Sequence, residues 1–182
     1  MHPLLIIGLV LLSLIVAGIV WGFKRIKKRQ ADVDSLILSV SIEQVPELAQ
    51  ECVSVFSEKL GKTLTYDNSE AAALILDEAL SARDQMNSIA AFERPDHWGW
   101  FVLPMGAFLG ELIKRHANAR WITAEGGGLA MEIGEGQDTM TIHPFDKINK
   151  QRWNGDKGDL LAYVKISING PSFMQGVIPM NP

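Results

Sequence analysis

The sequence of 182 residues contains one cysteine, Cys52. A single thiol excludes an internal disulfide and any metal site built from paired cysteines, and it fits a reducing compartment. It also excludes a lipid-modified N-terminus, which needs a cysteine directly after the apolar leader. There is no internal repeat and no low-complexity tract, so neither a repeat array nor a compositional linker organises the chain. Catalytic and cofactor signatures are missing as well. No nucleophile–base set, no Cys/His ligand spacing and no G-x-x-x-x-G-K-[ST] loop is present. The triple glycine Gly126-Gly127-Gly128 lies between two expected strands, not between a strand and a helix, and so is no phosphate cradle. Glu111 and His116 are five residues apart, about 140° around a helix, and cannot work as an H-E-x-x-H pair. No catalytic residue, cofactor or metal ligand is therefore expected.

Charge is absent from Pro3 to Phe23. At about 1.5 Å of rise per residue this run would be roughly 30 Å long as a helix, the thickness of a bilayer's hydrocarbon core. A cleaved signal peptide would carry a basic start and a small-x-small cleavage site. Here the start is Met1-His2 and the run ends in Val20-Trp21-Gly22-Phe23. The expectation is a retained transmembrane helix, with Trp21 and Phe23 in an interfacial belt. Lys24, Arg25, Lys27, Lys28 and Arg29 follow at once and form the membrane flank. Basic residues hold their end of a span in the cytoplasm, so the N-terminus is expected outside. The same flank suits anionic lipid heads. Gly18 and Gly22 match a small-xxx-small pattern, which makes a homodimer an option.

Removing the five basic residues of 24–29 leaves twelve basic against twenty-one acidic side chains, a net charge of −9. Such a domain is a poor nucleic-acid binder and is repelled by an anionic membrane surface. No nucleic-acid partner is expected. The partners expected are membrane lipid, through the N-terminal helix, and another protein.

Periodicity organises the rest as α+β, with three to four helices and a small antiparallel β-meander. Gln30–Ser35 reads as a short linker, and residues 36–42 as either a strand or a continuation of the anchor helix. Ser41–Leu60 is an amphipathic helix, with Gln44 completing a capping box and Gly61 as its stop. Cys52 lies in its apolar stripe and reads as a buried structural thiol. Asp67-Asn68-Ser69-Glu70 starts a second helix, and the short link between the two suggests an antiparallel hairpin. A third helix runs from about Met105 to Ala117, with Met105, Phe108, Leu109, Leu112, Ile113 and His116 on its buried side. Gly106 and Gly110 flatten one of its faces for close approach of another backbone. Trp121–Ala124, Leu129–Ile133 and Thr139–His143 form the meander, with glycine turns between them. Asp146–Trp153 reads as irregular or one helical turn, Leu160–Ile166 as a last helix, and 167–182 as an irregular tail. The expected domains are an anchor at 1–23, a basic flank and linker at 24–40, the globular domain at 41–166 and the tail at 167–182.

The order Gly106-Ala107-Phe108-Leu109-Gly110-Glu111, then Trp121, a glycine turn, a strand ending in Pro144 and Lys147-Ile148-x-Lys150 resembles an uncharacterised family of bacterial α+β domains. The resemblance covers about residues 100–165. It implies the fold, and some relatives look like immunity proteins encoded near bacterial toxins. It implies no activity or site residue.

These features favour a single-pass bacterial inner-membrane protein with a cytoplasmic, non-catalytic interaction domain. Its partner surface is expected at Trp98, Trp100 and Trp153, since tryptophan is enriched at binding hot spots. An immunity or antitoxin-like role is the alternative, with the acidic face steering a basic toxin. The enzyme alternative is a hydrolase with a site assembled from Asp96, His97, Glu111 and His143.

Overall fold

The computed structural model describes residues 3–81, 101–136, 138–154 and 159–170, without the side chains of 3–14, 23, 26, 29 and 152–154. Among the described residues there are six α-helices, one 3-10 turn and a three-stranded sheet. The α+β class and the antiparallel meander are those expected. The chain divides into two units, Met1–Ser35 and Leu36–Pro182.

Helix α1 covers Pro3–Ser39. The stretch expected as a linker at 30–35 is helical, and so are 36–39, which settles the choice between strand and helix there. Ile37 and Val40 are buried. Ile37 and Leu38 meet the β1–β2 turn, where a side chain at Gly128 would touch Leu38 Cδ2 at 3.2 Å. Among the described residues no helix is long and apolar enough to cross a membrane. The side chains described in α1 begin at Ile15.

A 3-10 turn at Ile42–Gln44 leads into α2, Val45–Leu60. The Ser41 backbone N–H donates to Gln44 Oε1 at 2.9 Å, one half of the capping box anticipated there. Pro46 lies in the first turn, where no helical N–H is required. Gly61 closes the helix at φ +61°, a left-handed conformation that favours glycine, and Lys62 N–H returns to the Phe56 carbonyl. Helix α3, Ser69–Ser81, is capped by Asn68, whose Oδ1 accepts the Ala71 N–H at 3.0 Å.

Helix α4, Val102–His116, is the post around which the second unit packs. It starts a turn earlier than the periodicity suggests. Pro104 fits because its position falls in the first turn, and the Met105 N–H reaches the Phe101 carbonyl. Ten of its fifteen residues are buried, so it is covered on nearly every side. Helix α2 packs along α4, and α3 packs along α6 (Asp159–Asn169). The expected α2–α3 hairpin is therefore not the main packing. A helix as apolar as α4 offers α2 more surface to bury than the narrower stripe of α3 does.

Strands β1 (Ala119–Thr123), β2 (Leu129–Ile133) and β3 (Met140–Ile142) pair antiparallel in that order. Trp121 faces Met131 and Arg120 faces Glu132 in the register. Helix α5, Pro144–Asn154, replaces the irregular stretch expected from 146. Phe145 and Ile148 anchor it, but Asn149 and Gln151 are also buried, so its inward face is half polar and hides the apolar repeat. Helix α6 runs through Ser167–Asn169, the first residues of the expected tail, and ends at Gly170.

Candidate functional site

The described chemistry gathers in three places: the face of α4 under the sheet, a buried polar contact between α3 and α5, and the turn end of the meander.

Gly106 and Gly110 make the flat face anticipated on α4. A Cβ at position 106 would stand 2.9 Å from the Phe145 Cα and overlap the Phe145 ring. A Cβ at 110 would overlap the Trp121 indole and meet Met131 Sδ at 3.1 Å. The absent side chains thus let the α5 backbone and the β1 indole lie directly on the helix. Trp121 and Phe145 are neighbours there, with ring centroids 5.7 Å apart. The Trp121 indole N–H donates to Glu111 Oε1 at 2.8 Å, and Lys114 Nζ lies 3.5 Å from the same oxygen. One carboxylate satisfies a part-buried donor and accepts a cation.

Glu111 is therefore a packing carboxylate, held by Trp121 and Lys114. His143 is exposed, and its carbonyl accepts the Lys147 N–H as α5 begins. Among the described residues Glu111 and His143 are not hydrogen-bonded to each other. Asp96 and His97, the other members of the hydrolase alternative, lie outside the described residues. So do Trp98 and Trp100, while Trp153 is described only as a backbone position in α5. His116, expected on the buried side of α4, is exposed. Its Nε2 lies 2.6 Å from the Tyr66 carbonyl. Tyr66 also stacks on Phe108 at 4.7 Å and under the Arg115 guanidinium at 3.7 Å. These contacts staple the loop after α2 to the end of α4.

Sequence reasoning missed the contact of Asp77 with Gln151. Both are buried, and Gln151 Nε2 donates to Asp77 Oδ1 at 2.9 Å. A signal existed: Ala73, Asp77 and Leu80 share one helical face, and the first and last are apolar. Also missed was a surface pocket of about 290 Å³ beside the meander turns, lined by Asn118, Arg120, Glu132, Glu135 and Thr139 among others. Its polar groups are engaged with one another. Asn118 Nδ2 donates to Glu135 Oε1 at 2.8 Å, and Arg120 Nε donates to Glu132 Oε1 at 3.0 Å. Cross-strand pairing of Arg120 and Glu132 is a common device of an exposed sheet face.

Burial pushes the Cys52 thiol well above its ordinary range, with the nearby Glu51 charge acting in the same direction. It stays a neutral, apolar-like group inside α2, which agrees with the structural reading of this residue. Burial likewise raises the Tyr163 phenol. Among the described residues no group of three or more His, Cys, Asp or Glu side chains is placed to hold a metal ion.

The chain matches no family model, no curated protein and no solved structure. The motif residues Gly106, Gly110, Glu111, Trp121 and Pro144 lie together at the α4–sheet–α5 junction.

Proposed function

We propose that this chain is a single-pass protein of a bacterial inner membrane, with residues 3–23 of α1 in the bilayer and a non-catalytic interaction domain in the cytoplasm. The observation that carries the reading is the exposure of Ile15, Val16, Ile19, Val20 and Trp21, each between 48% and 64% accessible. At 100° per residue these five point to all sides of the helix. No single groove covers a helix that is apolar all round, whereas lipid does. The uncharged run from Pro3 to Phe23 has the length of a span, and the basic flank supports the N-out orientation. Engagement of Glu111 by Trp121 and Lys114 supports a binding role over a hydrolytic one. The partner surface remains Trp98, Trp100 and Trp153, for a protein partner.

The test is crosslinking in living cells of the full-length chain against a form beginning at Ala31, with mass spectrometry of the products. Full-length protein should remain in membranes after alkaline carbonate washing and capture a saturable protein partner. Trp98→Ala with Trp100→Ala should weaken that capture. A full-length chain released by carbonate would overturn the anchor. A membrane-held chain with no partner, or with capture unaffected by the two substitutions, would overturn the binding surface.

A further inference from the structure

Lys24, Arg25, Lys27 and Lys28 are all exposed at the end of the apolar stretch of α1. Taking Lys24 as zero, Lys27 lies at about −60°, Lys28 at about 40° and Arg25 at about 100° around the helix. These four positions span about 160°, and Arg29, at about 140°, extends the basic span to about 200°. Trp21 falls at about 60° on the same scale, one turn earlier and inside the same arc. The Arg25 guanidinium lies 5.3 Å from its ring centroid. Among the described residues no carboxylate pairs with Lys24, Lys27 or Lys28. Asp32 is one turn beyond Lys28 and stays apart from it, while Asp34 accepts from Gln30 Nε2 at 2.9 Å.

We infer that this cluster of Trp21, Lys24, Arg25, Lys27 and Lys28 binds anionic phospholipid headgroups selectively. The inference rests on the membrane-anchor reading and adds the ligand class. An indole at the level of the headgroups and unpaired ammonium groups one turn beyond present stacking surface and charge to the same lipid layer. The remainder of the chain outside the five basic residues of 24–29, at −9, is repelled by an anionic leaflet, so the attraction is confined to this flank.

The test places the full-length chain in nanodiscs of phosphatidylcholine containing a minor fraction of phosphatidylglycerol. Lipids that stay bound after gentle detergent release are counted by native mass spectrometry. Phosphatidylglycerol should be retained about 5-fold or more above its share of the disc, since each cation near the surface contributes about that factor. The combined Lys24→Gln, Lys27→Gln and Lys28→Gln variant, which keeps Arg25 and Arg29, should lower retention several-fold. Lys150→Gln, an exposed lysine elsewhere, should leave it unchanged. Incorporation without enrichment, or equal enrichment in the triple variant, overturns the lipid site and leaves the anchor standing. Failure of the chain to enter discs at all, seen by size-exclusion chromatography, overturns the anchor and this inference with it.

Discussion

Gly106 and Gly110 are residues of the α4 face at which a single methyl group has a large consequence. Alanine in a helix interior is favoured over glycine by about 1 kcal/mol. At these two sites that gain is outweighed by overpacking, which costs about 1–3 kcal/mol or more. The obstacle at 106 includes backbone, the Phe145 Cα, and cannot rotate away. The obstacle at 110 is an indole pinned by its hydrogen bond to Glu111. Gly106→Ala and Gly110→Ala are each expected to lower the urea midpoint. Gly126→Ala, with nothing within 4 Å of its Cβ position, is expected to leave it unmoved. Equal midpoints for all three would show that the α4 face is not packed as described. Cys52 offers a second residue-scale check, in pH. A thiol raised by burial contributes stability that is complete below its unfolded value of about 8.5 and is lost as pH rises toward the folded value. Tyr163 has the same sign, starting from about 10. Stability from urea titrations should therefore fall between pH 8.5 and 10.5, with a slope of up to about 1.4 kcal/mol per pH unit for each group. Cys52→Ala should flatten the first part of that fall. In the native protein a thiol reagent should modify Cys52 only as fast as α2 opens.

Helices α2, α3 and α4 and the meander were legible because each carries a strong local signal: a cap or glycine stop, a 3.6-residue apolar stripe, or alternation bounded by glycine. Helix α5 was not, because two of its buried positions are Asn149 and Gln151. The suitability of Gln151 depends on a partner distant in sequence, Asp77, which no local pattern reveals. The end of α1 was undecided for a related reason. Ile37 breaks a strand alternation and becomes intelligible only when Leu38 and the Gly127–Gly128 turn meet. The predicted burial of His116 failed because an apolar stripe ends gradually, and the last turn of α4 already lies at the surface. Of the candidate site, the glycine face of α4 was readable from spacing alone, whereas the Trp121–Glu111 bond needed the register of β1. The buried polar contact makes its own prediction. Gln151→Ala removes a buried amide hydrogen bond to the Asp77 carboxylate, which should cost about 1–3 kcal/mol. Lys150→Ala, its exposed neighbour, should cost within about 0.5 kcal/mol. Both are read by the same urea titration, and a similar small loss in both would mean that the α3–α5 contact contributes little.

At the scale of the whole chain, the membrane proposal and the compact second unit set different requirements on where α1 can be cut. Ile37 and Val40 are buried, and Leu38 covers the glycine turn of the sheet, so the last helical turn before Ser41 belongs to the core. Removing it uncovers two buried aliphatic side-chain sites, each worth about 1.5–3 kcal/mol, out of a total stability of only about 5–15 kcal/mol. A form beginning at Ala31 removes the apolar stretch and the basic arc but keeps this turn. It should stay in solution without detergent and unfold in one cooperative transition. A form beginning at Ser41 should unfold at a clearly lower urea concentration or aggregate, although it loses only ten more residues. Both are measured by circular dichroism and size-exclusion chromatography. If the two forms proved equally stable, the end of α1 would be a tether and not part of the fold, and the boundary between anchor and head would move to residue 40.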